Sequence, residues 1–219
     1  NNLLTSILGH ADLALRDVSP LSPALESIQE IERAAHRAAD LCKQMLAYSG
    51  KGRFVVQPIR LGEVVDEMTH MLEVSVSKKA LLRCTHDPNT PPIEADVSQI
   101  RQVIMNLITN ASEAIGERSG VINISTGATM CDRAYLASSW VDEGLPEGMY
   151  AYLEVADTGC GMDRETLTNI FDPFFSTKFT GRGLGLAAVL GIVRGHHGAI
   201  RVHSEPGRGT TFRVLFPCS

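Results

Sequence analysis

The sequence predicts an α+β domain, with helices on one face of a sheet, that follows a separate helical hairpin. Two heptad-like apolar seams in the first fifty residues predict the hairpin. Beyond them, segments of helical period mix with short alternating segments that can pair as antiparallel strands. Glycines also cluster after residue 156, directly ahead of an apolar helix. We therefore expect a hairpin over residues 1–50 and one α+β domain over residues 51–219.

The hairpin is predicted from apolar residues that recur three or four positions apart. These are Leu4, Leu8, Ala11 and Leu15, then Ile28, Ile31, Ala35, Ala38, Cys42 and Met45. Between the seams, Ser22 suits an N-cap and Pro23 a first helical position, and Gly50 ends the second helix. Because two helices alone bury a thin core, we expect the hairpin to form a four-helix bundle with a second copy. Packing on its own chain is the alternative.

The α+β domain follows from the order of the remaining segments. Strands are predicted at 54–59, 80–86, 92–95, 121–126, 150–156, 199–204 and 210–216, and helices at 61–76, 96–115 and about 184–195. Residues 129–148 have no clear period and are predicted as a loop or an insertion.

Composition excludes several classes of function. The net charge of -5 argues against a general nucleic-acid surface. The longest apolar run, 183–193, is far shorter than the roughly 20 residues that cross a bilayer. The cysteines lack CxxC spacing, which gives no metal site and fits a reducing, cytoplasmic compartment. We expect this piece of a longer protein to make no membrane contact, and a membrane anchor elsewhere stays open.

The predicted helix at 96–115 has two different faces. It begins with a capping box at Asp96 and carries a wide apolar stripe. Asn106 and Asn110, poor helix formers in mid-helix, share the opposite face. That face is either simply solvated, or its amide oxygens help to hold Mg²⁺ against phosphate.

A nucleotide site is predicted from the stretch between residues 157 and 185. Asp157 beside a glycine turn offers one acceptor for a base. The aromatic loop 171–175 is expected to cover the nucleotide, and Lys178 supplies a cation in that cover. The glycines at 181, 183 and 185 lie ahead of a helix, where bare backbone N–H groups and a positive dipole end favour phosphate. A Rossmann fingerprint also matches 183–188, but it requires a preceding strand, whereas a polar loop precedes it here.

Five motifs in family order together resemble the N, G1, F, G2 and G3 boxes of sensor histidine kinases. They are Asn106-x-x-x-Asn110-Ala111, Asp157-x-Gly159-x-Gly161-Met162, Phe171-x-x-Phe174-Phe175, Gly181-x-Gly183-x-Gly185 and Gly207-x-Gly209-Thr210-Thr211-Phe212. The resemblance implies a dimerising phosphotransfer hairpin, then a catalytic domain of the Bergerat ATP-binding fold, a two-layer α/β sandwich. It also implies ATP and Mg²⁺ as cofactors, and a response-regulator receiver domain as the partner.

The start of the chain, Asn1-Asn2-Leu3-Leu4-Thr5, is similar to the phosphoacceptor helix whose box reads His-Asp-Phe-Asn-Asn-Leu-Leu, common in hybrid kinases. The phosphoacceptor histidine would precede Asn2 by four positions and is absent here. His10 and His36 are not substitutes. We therefore expect the fragment to bind ATP without phosphorylating itself.

The resemblance assigns roles to individual residues. Asp157 accepts from the exocyclic amine of adenine, and Asn110 holds Mg²⁺. Asn106 contacts a phosphate or a metal-bound water, and Lys178 and Arg182 approach the β- and γ-phosphates, so Asn106 and Lys178 are the catalytic candidates. Further nucleotide-binding candidates are Gly159, Gly161, Gly183, Leu184, Gly185 and Thr211.

Two further side-chain roles are expected by resemblance. Phe174 and Phe175 seat the aromatic loop on the domain. Asn2 orients water against a phosphorylated receiver aspartate, which makes it the phosphatase candidate.

Two alternatives to the kinase stay open. Gyrase-type and chaperone ATPases share the fold but resemble a Glu-x-x-x-Asn helix, whereas Asn106 stands four before Asn110 here and cannot take a proton. The other alternative is a non-catalytic ATP-binding module that docks a partner.

Overall fold

The computed structural model describes residues 2–19, 22–48, 55–72, 80–141, 144–177 and 183–219. The chain divides into two compact units, Asn1–Ala47 and Tyr48–Ser219. The first unit is helical, and the second combines a five-stranded sheet with helices. The α+β prediction is therefore confirmed.

The first unit contains helices α1 (Asn2–Asp17) and α2 (Ala24–Tyr48). The Ser22 hydroxyl accepts a hydrogen bond from the Ala24 backbone N–H over 3.2 Å, as expected for a residue that begins a helix. From the predicted seams, Ala11 and Ala35 are buried, but Ile31 is 53% exposed. The side chains of Cys42 and Met45 lie outside the described residues.

The second unit runs through twelve described elements. They are β1 (Gln57–Ile59), α3 (Leu61–Leu72), β2 (Ala80–His86), β3 (Ile93–Ala95), α4 (Val97–Ile115), β4 (Gly120–Cys131), α5 (Arg133–Ala137), β5 (Gly148–Asp157), α6 (Arg164–Asn169), α7 (Gly185–Gly195), β6 (Ala199–Glu205) and β7 (Gly209–Pro217).

The main sheet has the strand order β2-β4-β5-β7-β6. Strands β2 and β4 are parallel, and the other neighbouring pairs are antiparallel. The short strands β1 and β3 pair separately, with Gln57 opposite Ala95. Strand β5 is central, so its carboxyl end, Asp157, lies between the neighbouring strands β4 and β7.

Helices α3, α4 and α7 pack together on one layer of the unit and contact the sheet. The apolar stripe of α4 is fully buried, with Ile100, Ile104 and Ile108 at 0% exposure. Its N-cap is Asp96, whose side chain accepts from the backbone N–H groups of Ser98 and Gln99. Because the stripe is held against the sheet, the helix presents its opposite, polar face away from the core.

Residues 129–148 differ from the predicted loop. Strand β4 continues to Cys131, and helix α5 follows with its N-cap at Asp132. Leu136, Val141 and Leu145 are buried. Leu136 and Leu145 form a small apolar cluster with Cys131, Tyr150, Ala199 and Leu215. Strand alternation places Tyr150 and Leu153 on opposite faces of β5, so this cluster lies on the face opposite the main core.

Other differences concern the ends of elements. Helix α3 ends at Leu72, and residues 73–76 of its predicted continuation lie outside the described residues. Helix α6, which the sequence pattern did not predict, begins after Asp163, whose side chain accepts from the Thr166 backbone N–H over 2.8 Å.

Candidate nucleotide-binding site

The predicted base-recognising carboxylate ends the central strand of the sheet. Asp157 is 9% exposed, and its Oδ1 accepts a hydrogen bond from the Gly159 backbone N–H over 2.7 Å. Residues in alternate positions along β5, such as Val155, point to the main core. Asp157 therefore stands at the rim of the core, with one oxygen fixed by its own turn.

The turn after Asp157 packs directly on helix α4. The Cys160 backbone N–H donates to the Ala114 carbonyl over 3.0 Å. A Cβ added to Gly159 would lie 2.7 Å from the Ala114 Cβ. Ala114 lies one helical turn beyond Asn110, so the turn brings Asp157 to the end of α4 that carries this asparagine. The predicted carboxylate and the predicted amide face are thus held together.

Glycines in the first and third glycine boxes permit close backbone packing. Gly161 has φ +64, and a Cβ there would lie 1.9 Å from the Glu205 carbonyl oxygen. Gly209 has φ +97, and a Cβ there would lie 1.9 Å from the Asp157 carbonyl oxygen. No side chain fits either space, which explains glycine at both positions.

Strand register distinguishes the two threonines of the third glycine box. Thr211 pairs with Ala156, so its side chain lies on the face of the sheet opposite Asp157. Thr210 is 5% exposed, and its Oγ1 lies 2.8 Å from the Ser204 Oγ. The sequence prediction named Thr211, and its nucleotide-binding role stays a prediction. Thr210 instead shares the face of Asp157, as alternation from buried Phe212 indicates, since residues two apart share a face.

The two asparagines lie on the half-buried face of α4. The Asn106 side-chain amide donates to the Gly185 carbonyl over 3.2 Å. Its Oδ1 lies 3.6 Å from the position of a Cβ added to Gly185. Asn110 follows one turn later, towards the Asp157 turn. Neutral amide oxygens suit a magnesium ion that keeps its waters and binds phosphate. The described residues contain no His/Cys/Asp/Glu cluster that could hold a metal ion by itself.

The second glycine box leads into the N-terminus of α7. Gly183 has φ +65, and a Cβ there would lie 2.4 Å from the Phe175 carbonyl oxygen. Leu184 is the N-cap without a side-chain hydrogen bond, and Gly185 is the first helical residue. The first turn of a helix leaves backbone N–H groups without intrahelical acceptors, a suitable cradle for phosphate.

The aromatic loop attaches through a different phenylalanine from those expected. Phe171 is 6% exposed, whereas Phe174 is 61% exposed and Phe175 is half-buried. Phe174 instead contributes its backbone N–H, which donates to the Gly183 carbonyl over 2.8 Å. The prediction that the Phe174 side chain seats the loop is therefore wrong, because Phe171 takes that place.

Three predicted site residues lie where side chains are not described. Lys178 and Arg182 fall in the range 178–182, outside the described residues. Asn2 begins α1, but its side chain is likewise outside them. Their expected roles stay predictions.

The fold agrees with comparisons to known proteins. The chain belongs to the histidine kinase-, DNA gyrase B- and HSP90-like ATPase family, whose model matches residues 95–219. Membership of this family implies ATP binding. Within it, the chain is related to sensor histidine kinases and carries their catalytic ATPase region.

Two curated relatives align along nearly the whole chain. The sensor kinase CckA of Brucella abortus is 36% identical over 219 residues, which cover 99% of this chain and 23% of that protein. The sensory histidine kinase/phosphatase NtrB of Rhizobium meliloti is 34% identical, with 100% of this chain and 56% of that protein covered. The chain thus spans 23% and 56% of the length of these two relatives.

Two solved structures have the same architecture. The catalytic domain of the histidine kinase ThkA has a TM-score of 0.59 at 28% identity, covering 74% of this chain and 95% of that one. Full-length ShkA in complex with AMPPNP has a TM-score of 0.74 over 100% of this chain and 43% of that one, at 20% identity. The second likeness shows the fold alone.

No helix among the described residues is long and apolar enough to span a membrane.

Proposed function

We propose that this chain is the ATP-binding core of a sensor histidine kinase. Residues 95–219 would hold Mg-ATP for transfer of its γ-phosphoryl group to a histidine, from which it passes to a receiver aspartate of a response regulator. The observation that carries the proposal is Asp157, buried at the end of β5 in a turn that packs on the asparagine-bearing helix α4.

Asp157 would select adenine by hydrogen bonding. A carboxylate oxygen accepts from the exocyclic amine of adenine, whereas guanine presents a carbonyl oxygen there. An unmet buried polar group costs about 1–3 kcal/mol, which corresponds to roughly 10- to 100-fold discrimination against GTP. Thr210, rather than Thr211, lies on the side of the sheet where it could support this contact.

The phosphates would lie between α4 and the N-terminus of α7. Asn106 and Gly185 already contact each other there, and Asn110 lies one turn along α4. The amide oxygen of Asn110 would hold Mg²⁺, which neutralises phosphate charge during transfer, and Asn106 would contact a phosphate or a metal-bound water. Lys178 and Arg182, in the segment leading to Gly183, would add cations to the β- and γ-phosphates.

The experiment is calorimetric titration of the 219-residue chain with Mg-ATP and Mg-GTP. We expect ATP to bind and GTP to bind at least about tenfold more weakly. Asp157→Asn should abolish measurable ATP binding while the fold survives, because an amide oxygen can still accept from Gly159. Asp87→Asn is the matched control, since Asp87 also accepts the backbone N–H two residues on, from Asn89 over 2.9 Å, outside the site. Unchanged affinity in Asp157→Asn would contradict the proposal.

The helical unit would serve dimerisation and phosphotransfer. It leaves apolar side chains exposed, with Ile7 at 45%, Leu13 at 56% and Ile31 at 53%, and burial in a four-helix bundle with a second copy would cover them. We expect the 219-residue chain to transfer stable label from ATP to a helix carrying the phosphoacceptor histidine when that helix is added in trans. The gyrase-like alternative predicts steady ATP turnover instead, and the docking module predicts neither activity.

A receiver phosphatase activity is a second candidate. The relative NtrB is named a kinase/phosphatase, and the ThkA histidine kinase has been solved in complex with its response regulator TrrA. Asn2 would orient the attacking water, and unchanged receiver dephosphorylation by Asn2→Ala would count against this role.

We place this part of the protein in the cytoplasm, where ATP and receiver domains are found.

A further inference from the structure

The segment between β4 and β5 is anchored to the sheet at several points. We call residues 132–141 and 144–147 the α5 segment. The hydroxyl of Tyr150, on strand β5, donates to the Pro146 carbonyl over 2.8 Å. The Trp140 backbone N–H donates to the Ile200 carbonyl over 2.8 Å, and Leu136 is 1% exposed. The segment therefore has a fixed place on the unit, and Trp140 is tied to strand β6.

From this place, Trp140 contacts the aromatic loop of the nucleotide site. The indole of Trp140 and the ring of Phe171 have centroids 5.2 Å apart and planes inclined at 60°. Phe171 is 6% exposed, whereas Trp140 is 37% exposed. This T-shaped geometry is favourable for aromatic pairs. Trp140 thus covers the side chain on which the loop is seated.

The loop in turn packs against the phosphate-binding end of α7. Phe174 donates its backbone N–H to the Gly183 carbonyl, and Gly183 leaves no space for a side chain against this loop. Gly183 is followed by Leu184, the N-cap of α7. A shift of Phe171 would therefore displace the backbone that precedes the first turn of α7. This contact path runs from Trp140 to the backbone proposed to bind phosphate.

We propose that Trp140 is a positioning residue for ATP, which acts through Phe171 on the aromatic loop and the N-terminus of α7. The inference rests on the proposed ATP site and adds the α5 segment to it as a support outside the five sequence motifs. The contact that carries this role is the one between the rings of Trp140 and Phe171. Its effect is on affinity, because a loop held in the binding geometry loses less conformational freedom when the ligand binds.

The first test measures Mg-ATP affinity by calorimetry on the full 219-residue chain. Trp140→Ala should weaken binding by about 3- to 10-fold, the range expected for loss of one aromatic pair. Trp140→Phe keeps a ring against Phe171 and should retain most of the wild-type affinity for Mg-ATP. Met130→Ala is the matched control, since Met130 is 67% exposed and lies at the base of the same segment. Thermal unfolding midpoints separate a loss of affinity from a loss of fold.

A double-mutant cycle tests the path. If Trp140 acts through Phe171, then Phe171→Leu should cost a similar factor, and the double variant should lose little more than either single variant. Wild-type affinity in Trp140→Ala, or losses that multiply fully in the double variant, would overturn the inference. Absence of ATP binding by the wild-type chain would instead overturn the proposed function, and the inference with it.

Fluorescence gives an independent readout, because Trp140 is the only tryptophan in the sequence. By reciprocity, a contact that favours ATP binding must itself be favoured by ATP. We therefore expect Mg-ATP to change the emission of Trp140 with the same midpoint as the calorimetric titration. An unchanged emission at saturating ATP would count against the inference, while intact calorimetric binding would leave the ATP site standing.

Discussion

The side-chain amide of Asn106 donates to the backbone carbonyl of Gly185 over 3.2 Å. This hydrogen bond joins the middle of α4 to the first residue of α7, two elements that lie far apart in the sequence. The predicted metal-binding face and the predicted phosphate-binding helix end are therefore neighbours. Asn110 lies one helical turn further along α4, nearer to the turn that follows Asp157.

Removing the Asn110 amide should affect the magnesium-dependent part of ATP binding. We expect Asn110→Ala to weaken Mg-ATP binding by at least about tenfold, roughly the 1.4 kcal/mol of one good ligand contact. In excess chelator, Asn110→Ala and the wild type should bind ATP with the same affinity, since that complex contains no metal. Calorimetry with and without Mg²⁺ checks this, with exposed Thr109→Ala as the neighbouring control. Equal losses under both conditions would show that Asn110 does not act through the metal.

Two glycines with positive φ should tolerate alanine very differently. Gly161 and Gly207 have φ +64 and +78, so alanine costs about 1–2 kcal/mol at either position from backbone strain. At Gly161 the new Cβ would also meet the Glu205 carbonyl, whereas Gly207 has nothing within 4 Å. Gly161→Ala should therefore destabilise by at least about 3 kcal/mol, because overpacking adds to the strain. Urea unfolding compares the two variants, and similar losses would contradict the predicted clash.

His196 links the C-terminus of α7 to the N-cap of α4. Its Nε2 accepts from the Asp96 backbone N–H over 3.0 Å, and its Nδ1 lies 2.8 Å from the Ile192 carbonyl. Because Nε2 accepts here, the ring can donate to the Ile192 carbonyl through Nδ1. His196→Ala should cost about 1–3 kcal/mol of unfolding free energy, because it leaves the buried N–H of Asp96 without its acceptor.

Urea unfolding at neutral pH measures the loss in His196→Ala. Exposed His203→Ala is the matched control, and surface substitutions of this kind stay within about 0.5 kcal/mol. Comparable free energies in the two variants would exclude a structural role for the buried histidine.

Asp96 should make stability depend on acid pH. Burial alone would raise the pKa of this carboxyl, but hydrogen bonds from the Ser98 hydroxyl and from backbone N–H groups, including Val55, outweigh it and lower the pKa below 3.8. A lowered pKa in the folded state stabilises above the unfolded value, and the contribution is lost as pH falls through the folded value. Asp96→Ala should cost about 1–2 kcal/mol at neutral pH, as loss of an N-cap does.

The pH dependence of that loss is the measurement. Between about pH 7 and pH 5 the gap between wild type and Asp96→Ala should be constant, because the carboxyl is ionised in both folded and unfolded chains. Below 3.8 the gap should narrow. A gap that stays constant as the pH falls below 3.8 would show that the pKa of Asp96 is not lowered in the folded chain.

Long periodic elements and glycine motifs were predictable from the sequence. Helix α4 was found because a capping aspartate and a complete apolar stripe coincide, and β5 because it alternates up to Asp157. Helices α5 and α6 were missed because each is under two turns long, too short for a helical period to show. Leu136 is buried against strands that come much later in the chain, and the local sequence does not predict such contacts.

The sequence predicts which residue types form the candidate site, but not the direction of each side chain. Asp157 ends β5 in a turn that packs on α4, and Asn106 contacts Gly185, while the roles of both stay predictions. The choice between Thr210 and Thr211 depends on strand register, and the seating of the loop by Phe171 depends on Trp140, more than thirty positions away. Such choices are made by tertiary packing rather than by motif spacing.

The parallel pairing of β2 with β4 has a practical consequence for anyone who trims this protein. The family match begins at residue 95, after β2 has ended at His86. A recombinant piece cut there would uncover the backbone of β4 from Gly120 to Thr126, along which β2 pairs. Exposed strands of this kind recruit other chains and aggregate. Shortened versions should therefore begin before Gln57, so that the flanking strand and the β1–β3 pair are retained.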